Sequence, residues 1–398
     1  MIGRSRRTAA GFAVLLALLV AGQAMAITWG TRLKLADGST AVGAFHQTIA
    51  STGSVAHQLF NTDAGVLKFR RTTNLGASWA SAQTLQSATA DVGYAAVSIA
   101  SDGQLVVALY LGVDGPANRT SLILRRSEDA GVTWKSRQVI TSWTGQFGSQ
   151  HAAVDIAGSL VVLVYTDPIT GAVYARRSTD GAKTFLTPQS LGTSTFESIA
   201  GGIDAQVAAA ITGTNVVVVW IPSAIEGDVF GSALVGRRSA NSGQTWVTRQ
   251  TIDSSDIDLF NGPSIDADGT TVLVHYQRSD GRLIVARSID SGVAYARTSI
   301  ATPSAAYVYF GGDVFIGPGG LARLVFIRFS DTDDRVLIRT SANGGGTWTA
   351  ASTAISSVPT YKLEAAVVAN TTYTLVATEA FPDAEPFLTE IHARRGTN

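Results

Sequence analysis

The sequence predicts an all-β fold in which similar four-stranded sheets follow one another and close into a ring. Three observations carry this reading. An eight-residue motif returns along most of the chain, short apolar runs fill each interval between its copies, and one incomplete copy is divided between the two ends.

The motif is clearest at 127–134 (SEDAGVTW). Its counterparts are 72–79 (TTNLGASW), 178–185 (STDGAKTF), 239–246 (SANSGQTW), 288–295 (SIDSGVAY) and 341–348 (SANGGGTW). The acid or amide falls at Asn74, Asp129, Asp180, Asn241, Asp290 and Asn343, at intervals of 55, 51, 61, 49 and 53 residues. Without its first 26 residues the chain is 372 long, which at that spacing asks for seven units although six complete motifs are present. The missing copy is split. The stretch 394–398 (RRGTN) matches 125–129 (RRSED), and 27–35 (ITWGTRLKL) matches 132–140 (VTWKSRQVI). A repeat completed by the opposite chain end describes a ring and removes the open sheet edges that invite aggregation.

Taken in order, residues 1–26 read as a secretory signal peptide: Arg4, Arg6 and Arg7 precede an uncharged apolar run, and Ala24, Met25 and Ala26 supply the small-residue cleavage pattern. The run is too short for a lasting bilayer anchor, which needs about 20 residues. The expectation is therefore an exported, secreted or periplasmic chain with no membrane anchor. Residues 27–398 then form one propeller domain. In its second unit the strand-like runs are 94–100, 105–110, 122–126 and 135–140, rich in Val, Ile, Leu and Tyr and parted by turn residues such as Asp102 and Gly103. Helical periodicity is absent beyond the signal. The fold class is thus an all-β, seven-bladed β-propeller, six-bladed as the alternative, closed by pairing of the N- and C-terminal strands.

Composition narrows the function. Thirty basic and thirty acidic residues cancel, and removing the signal leaves 27 against 30, so nothing marks a nucleic-acid partner. With no Cys, stability must come from packing. The five His share no metal-ligand spacing, and neither a phosphate-cradling loop nor a Gly-x-Ser-x-Gly elbow occurs. No cofactor is called for. Calcium is weakly supported by two oxygen-rich stretches, Asp253, Asp256 and Asp258, and Asp331, Asp333 and Asp334, for which solvated loop acids are the plainer reading.

The repeated motif resembles the Asp box, or BNR repeat, of the sialidase superfamily and its non-sialidase relatives. The resemblance covers nearly the whole chain after the signal. It implies that the motifs sit in the turn between third and fourth strands, on the face opposite the ligand site, as structural elements. Asp or Asn caps its own turn, Gly takes a positive φ and Trp packs between blades. Ala182 in place of Gly, and Ala294 and Tyr295 in place of Thr and Trp, predict two looser turns.

Ligands are then expected on the upper face. Candidate binding residues are Trp143, Phe147, His151, Glu197, Phe230, Tyr307, Tyr361 and Glu364, since aromatic rings at a propeller mouth suit sugar faces or peptide. A sialidase-type mechanism needs an arginine clamp, a Tyr activated by a carboxylate and an acid/base Asp. Arg119, Arg278 and Arg328 could clamp, Tyr309 could attack with Glu226 beside it, and Asp91 could act as the acid. Against this, the Arg-Ile-Pro motif that the resemblance implies near the first blade is missing, and no Arg occurs in 33–49. The leading expectation is a monomeric propeller that recognises glycan or a protein partner without catalysis. A sialidase-like exo-glycoside hydrolase and a structural or assembly factor are the alternatives.

Overall fold

The computed structural model describes residues 28–29, 31, 33–36, 47–62, 64–145, 152–193, 207–222, 233–258, 262–330, 334–356, 362–368, 373–380 and 390–397. The signal-like segment at 1–26 lies outside them. The fold is an all-β propeller. Six blades are each wound from a contiguous stretch as a four-stranded antiparallel meander, one per complete motif. Their innermost strands are Gln47–Thr52, Val92–Asp102, Ala152–Ala157, Val207–Thr212, Ser264–Asp268 and Val308–Gly317, and the blades are numbered one to six in that order. Six contiguous blades, rather than seven, is the correction to the count of repeats.

The remaining sheet is composite and five-stranded. Lys362–Val368, Tyr373–Ala380 and Glu390–Thr397 come from the end of the chain, and Thr28–Trp29 and Leu33–Ala36 both pair with Glu390–Thr397. The register sets Thr28 opposite Thr397 and Trp29 opposite Gly396. Its innermost strand packs on those of blade six and blade one, so the innermost strands run in a closed cycle.

The second blade shows how the strands settle. They are Val92–Asp102, Leu105–Asp114, Arg119–Ser127 and Gln138–Thr144. The first three are longer than their apolar runs, because ladder bonds continue past the hydrophobic residues at the upper end. The last starts three residues later than its run, since the Lys135 N–H donates back to the Arg126 carbonyl in a turn.

Each motif is the turn between third and fourth strands, as expected. In the second blade the Ser127 hydroxyl donates to Asp129 (2.7 Å), the Gly131 N–H to Ser127 (2.8 Å) and the Thr133 N–H to Asp129 (2.8 Å). The Thr133 hydroxyl bond, followed by the other donors, holds the Asp129 carboxyl well below the usual carboxylate range. The fourth and fifth positions are left-handed in every copy. That reverses one expectation: Ala182 takes φ 60° and its N–H still reaches Ser178 at 2.9 Å, so this turn is not loosened. In the fifth copy Ala294 supplies no hydroxyl to Asp290, which keeps the Ser288 hydroxyl and the N–H groups of Val293 and Ala294.

The core lies between blades. Leu109, Leu124, Val154 and Leu163 join blades two and three in one apolar cluster, and Val217, Val219, Val272 and Val274 join four and five. Such contacts bury nearly every large aliphatic residue of the second strands.

Candidate functional site

With the motifs below, the opposite ends of the strands define the upper face. Among the described residues, blade six carries the most exposed rings of that face. The strands Val308–Gly317 and Leu321–Phe329 end in a tip where Tyr307 and Phe310 are each 39 % exposed. The Arg328 guanidinium lies over the Tyr307 ring, 4.4 Å from its centroid. Phe310 meets Phe329 edge to face at 5.1 Å, and Tyr309 meets Phe326 at 5.9 Å. The Gln277 side-chain amide of blade five donates to the Tyr309 carbonyl at 2.9 Å, which fixes the tip against its neighbour. An exposed ring with a cation on one side is built to take flat, partly apolar ligands.

The three candidate clamp arginines have separate local partners. Arg119 pairs with Asp114 on blade two at 3.2 Å. Arg278 donates to the buried carboxylate of Asp253 through Nε (3.0 Å) and Nη2 (2.8 Å). Arg328 stacks on Tyr307 as described. Asp253 also accepts from the Tyr276 hydroxyl (2.7 Å) and from Arg297 (2.9 Å). Burial pushes its carboxyl up, but the Tyr276 hydroxyl, the Ser255 N–H and Arg278 outweigh burial and hold it at about 2. Burial and Asp253 together raise the Tyr276 hydroxyl far above its usual range, and the Tyr–Asp hydrogen bond latches blade five to blade four. Both Asp253 oxygens are thus engaged by protein donors.

Among the binding candidates, Trp143 stands at the upper end of blade two, opposite Thr120, but is turned inward. Only 6 % exposed, it packs against Tyr165 in the interface of blades two and three and donates its indole N–H to Asp167 at 3.2 Å. Asp91 is exposed at the upper end of blade two, where its carbonyl accepts from the Gly115 N–H. Glu364 stands opposite Ala377 in the composite sheet. Phe147, His151, Glu197, Glu226, Phe230 and Tyr361 lie outside the described residues.

Sequence reasoning missed Asp253, Tyr276 and Arg297 as one cluster and Phe329 as part of the tip. A signal existed. Counted from the lower hairpin, Arg278 and Arg328 occupy the same place on their second strands, and blade two has Gly112 there.

No helix among the described residues is long and apolar enough to cross a membrane. No protein-family model matches the chain, and no curated protein does. Solved structures do. An ulvan lyase of polysaccharide lyase family PL25 superposes with a TM-score of 0.57 at 11 % identity, over 87 % of this chain and 93 % of its own. The phage phi92 endosialidase gives 0.51 at 11 %, over 92 % and 69 %. The NanB sialidase of Streptococcus pneumoniae gives 0.51 at 11 %, over 76 % and 68 %. At this identity the shared property is the propeller fold, and these neighbours are proteins named for action on glycans.

Proposed function

We propose that the chain is an exported recognition propeller that binds glycan through the aromatic tip of blade six without turning it over. Its repeated turns are Asp boxes of the sialidase-superfamily type, and the composite sheet counts as the closing, seventh blade. The observation that carries the reading is the Tyr307 and Arg328 stack beside exposed Phe310, while Arg119 and Arg278 are committed to Asp114 and Asp253. A ring face with a cation behind it takes the apolar face of a sugar, and hydroxyls at the rim give orientation.

A glycan array with the intact mature protein tests it. Binding should appear, and Tyr307→Ala should weaken it at least tenfold, as expected where one stacked ring anchors a small ligand. A fluorogenic sialoside should not be turned over. Hydrolysis of that sialoside, lost in Glu226→Gln, would instead establish the sialidase-like hydrolase reading, which the glycan-acting fold neighbours favour.

A further inference from the structure

On the upper flank of blade two a second site stands apart from that tip. The cross-strand register places Tyr94, Gly112, Ser121 and Ser142 in one row across all four strands, with Asp114 opposite Arg119 one row above. Gly112 leaves the middle of the row without a side chain, and a Cβ there would lie 3.0 Å from both Tyr94 and Ile123. Tyr94 and Ile123 therefore close over Gly112, and beside them the row borders a cleft of about 280 Å³. Tyr94 and Ile123 form an apolar wall, and Arg119, Arg137, Ser121 and Ser142 form a polar rim.

The rim has unused capacity. Among the described residues Arg137 makes one hydrogen bond, a long one of 3.5 Å to the Tyr94 hydroxyl. The Ser121 and Ser142 hydroxyls bond each other at 2.8 Å, which leaves one proton and further lone pairs facing outward. Two guanidiniums against one carboxylate give the cleft a positive charge. At about 280 Å³ it lies just below the usual range of drug-sized sites and is suited to one ring.

We propose that this cleft binds a single carboxylated sugar residue. Its apolar C–H face lies against the edge that the largely buried Tyr94 ring presents to the cleft, its carboxylate meets Arg137 beside the Arg119–Asp114 pair, and its hydroxyls meet the serine pair. The guanidinium fork matches a carboxylate in a way that a neutral hexose cannot exploit.

Calorimetric titration of the intact mature protein with glucuronate, glucose and acetate tests the proposal. Glucuronate should bind at least tenfold more tightly than either of the others. Arg137→Gln should cost about tenfold. Ser142→Phe, at an exposed position of the outermost strand, should fill the cleft and abolish binding while the thermal midpoint holds. Arg282→Gln, an exposed guanidinium on blade five, should leave the affinity unchanged. Equal binding of glucose or acetate, no saturable binding of glucuronate, or an unaltered affinity in Ser142→Phe would each overturn it. The aromatic tip plays no part in these measurements, so their failure leaves the proposed function standing.

Discussion

A methyl group on Gly131 would place its carbon 2.6 Å from Phe69 Cζ, and the Phe69 ring is itself wedged against Trp134 at 4.9 Å. The third motif carries Ala182 at the equivalent place, buried and left-handed, in the cluster that holds Leu124. Gly131→Ala should therefore destabilise the fold by about 1–3 kcal/mol through overpacking and positive-φ strain, read as a lower thermal midpoint. Asp253 makes the opposite point, that a buried charge depends on its partners. Asp253→Ala strips the anion from Arg278, Arg297 and Tyr276, and should cost about 3 kcal/mol in a denaturant titration. Its folded pKa of about 2 lies below the ordinary carboxylate value of 3.8. The stability it contributes is thus fully present above pH 4 and is lost as pH falls toward 2. An acid-unfolding curve of Asp253→Ala should lack that component.

Between elements, the blades are stapled in a repeating way. The first Arg of the third-strand pair donates to a carbonyl of the preceding blade: Arg125 to Leu85, Arg176 to Ile140, Arg394 to Ala354. The Gln that opens the outermost strand donates forward to the next motif, as Gln138 does to Ala182 and Gln250 to Gly292. The first Arg of these pairs thus uses a carbonyl acceptor, whereas Arg126, the second of its pair, meets the Glu128 carboxylate of its own turn. The Gln, four residues after the motif aromatic, repeats as plainly but a search for charge passes over it. Innermost strands use a third device. Asp155 accepts the Ile211 N–H and Asp266 the Ile316 N–H, both at 2.7 Å across a blade junction. Burial dominates, and both carboxyls are pushed up to about 7. The fold then holds protons that the unfolded chain has released, so stability should fall as pH rises from about 4 to 7. Asp155→Asn and Asp266→Asn together should flatten that slope in thermal melts taken across the window.

Across the whole molecule, the repeat spacing and the divided motif made the ring legible, because turns that need a particular residue at a particular φ leave the same letters in every blade. The upper face was much less legible. Its residues are chosen blade by blade, so residue type alone could not separate Trp143, spent in an interface, from Tyr307, left in solvent. Nor could it show that Arg278 would be consumed by an Asp from the neighbouring blade. What closes the ring is the junction of the two chain ends, and a chain with no Cys offers a clean probe of it. Thr28 and Thr397 are register partners. In the double variant Thr28→Cys with Thr397→Cys, oxidation should close a disulfide within one chain and raise the thermal midpoint by a few degrees, in keeping with about 2–4 kcal/mol of stabilisation. A double variant that stays as free thiols under mild oxidant, or links only between chains, would contradict the closed ring.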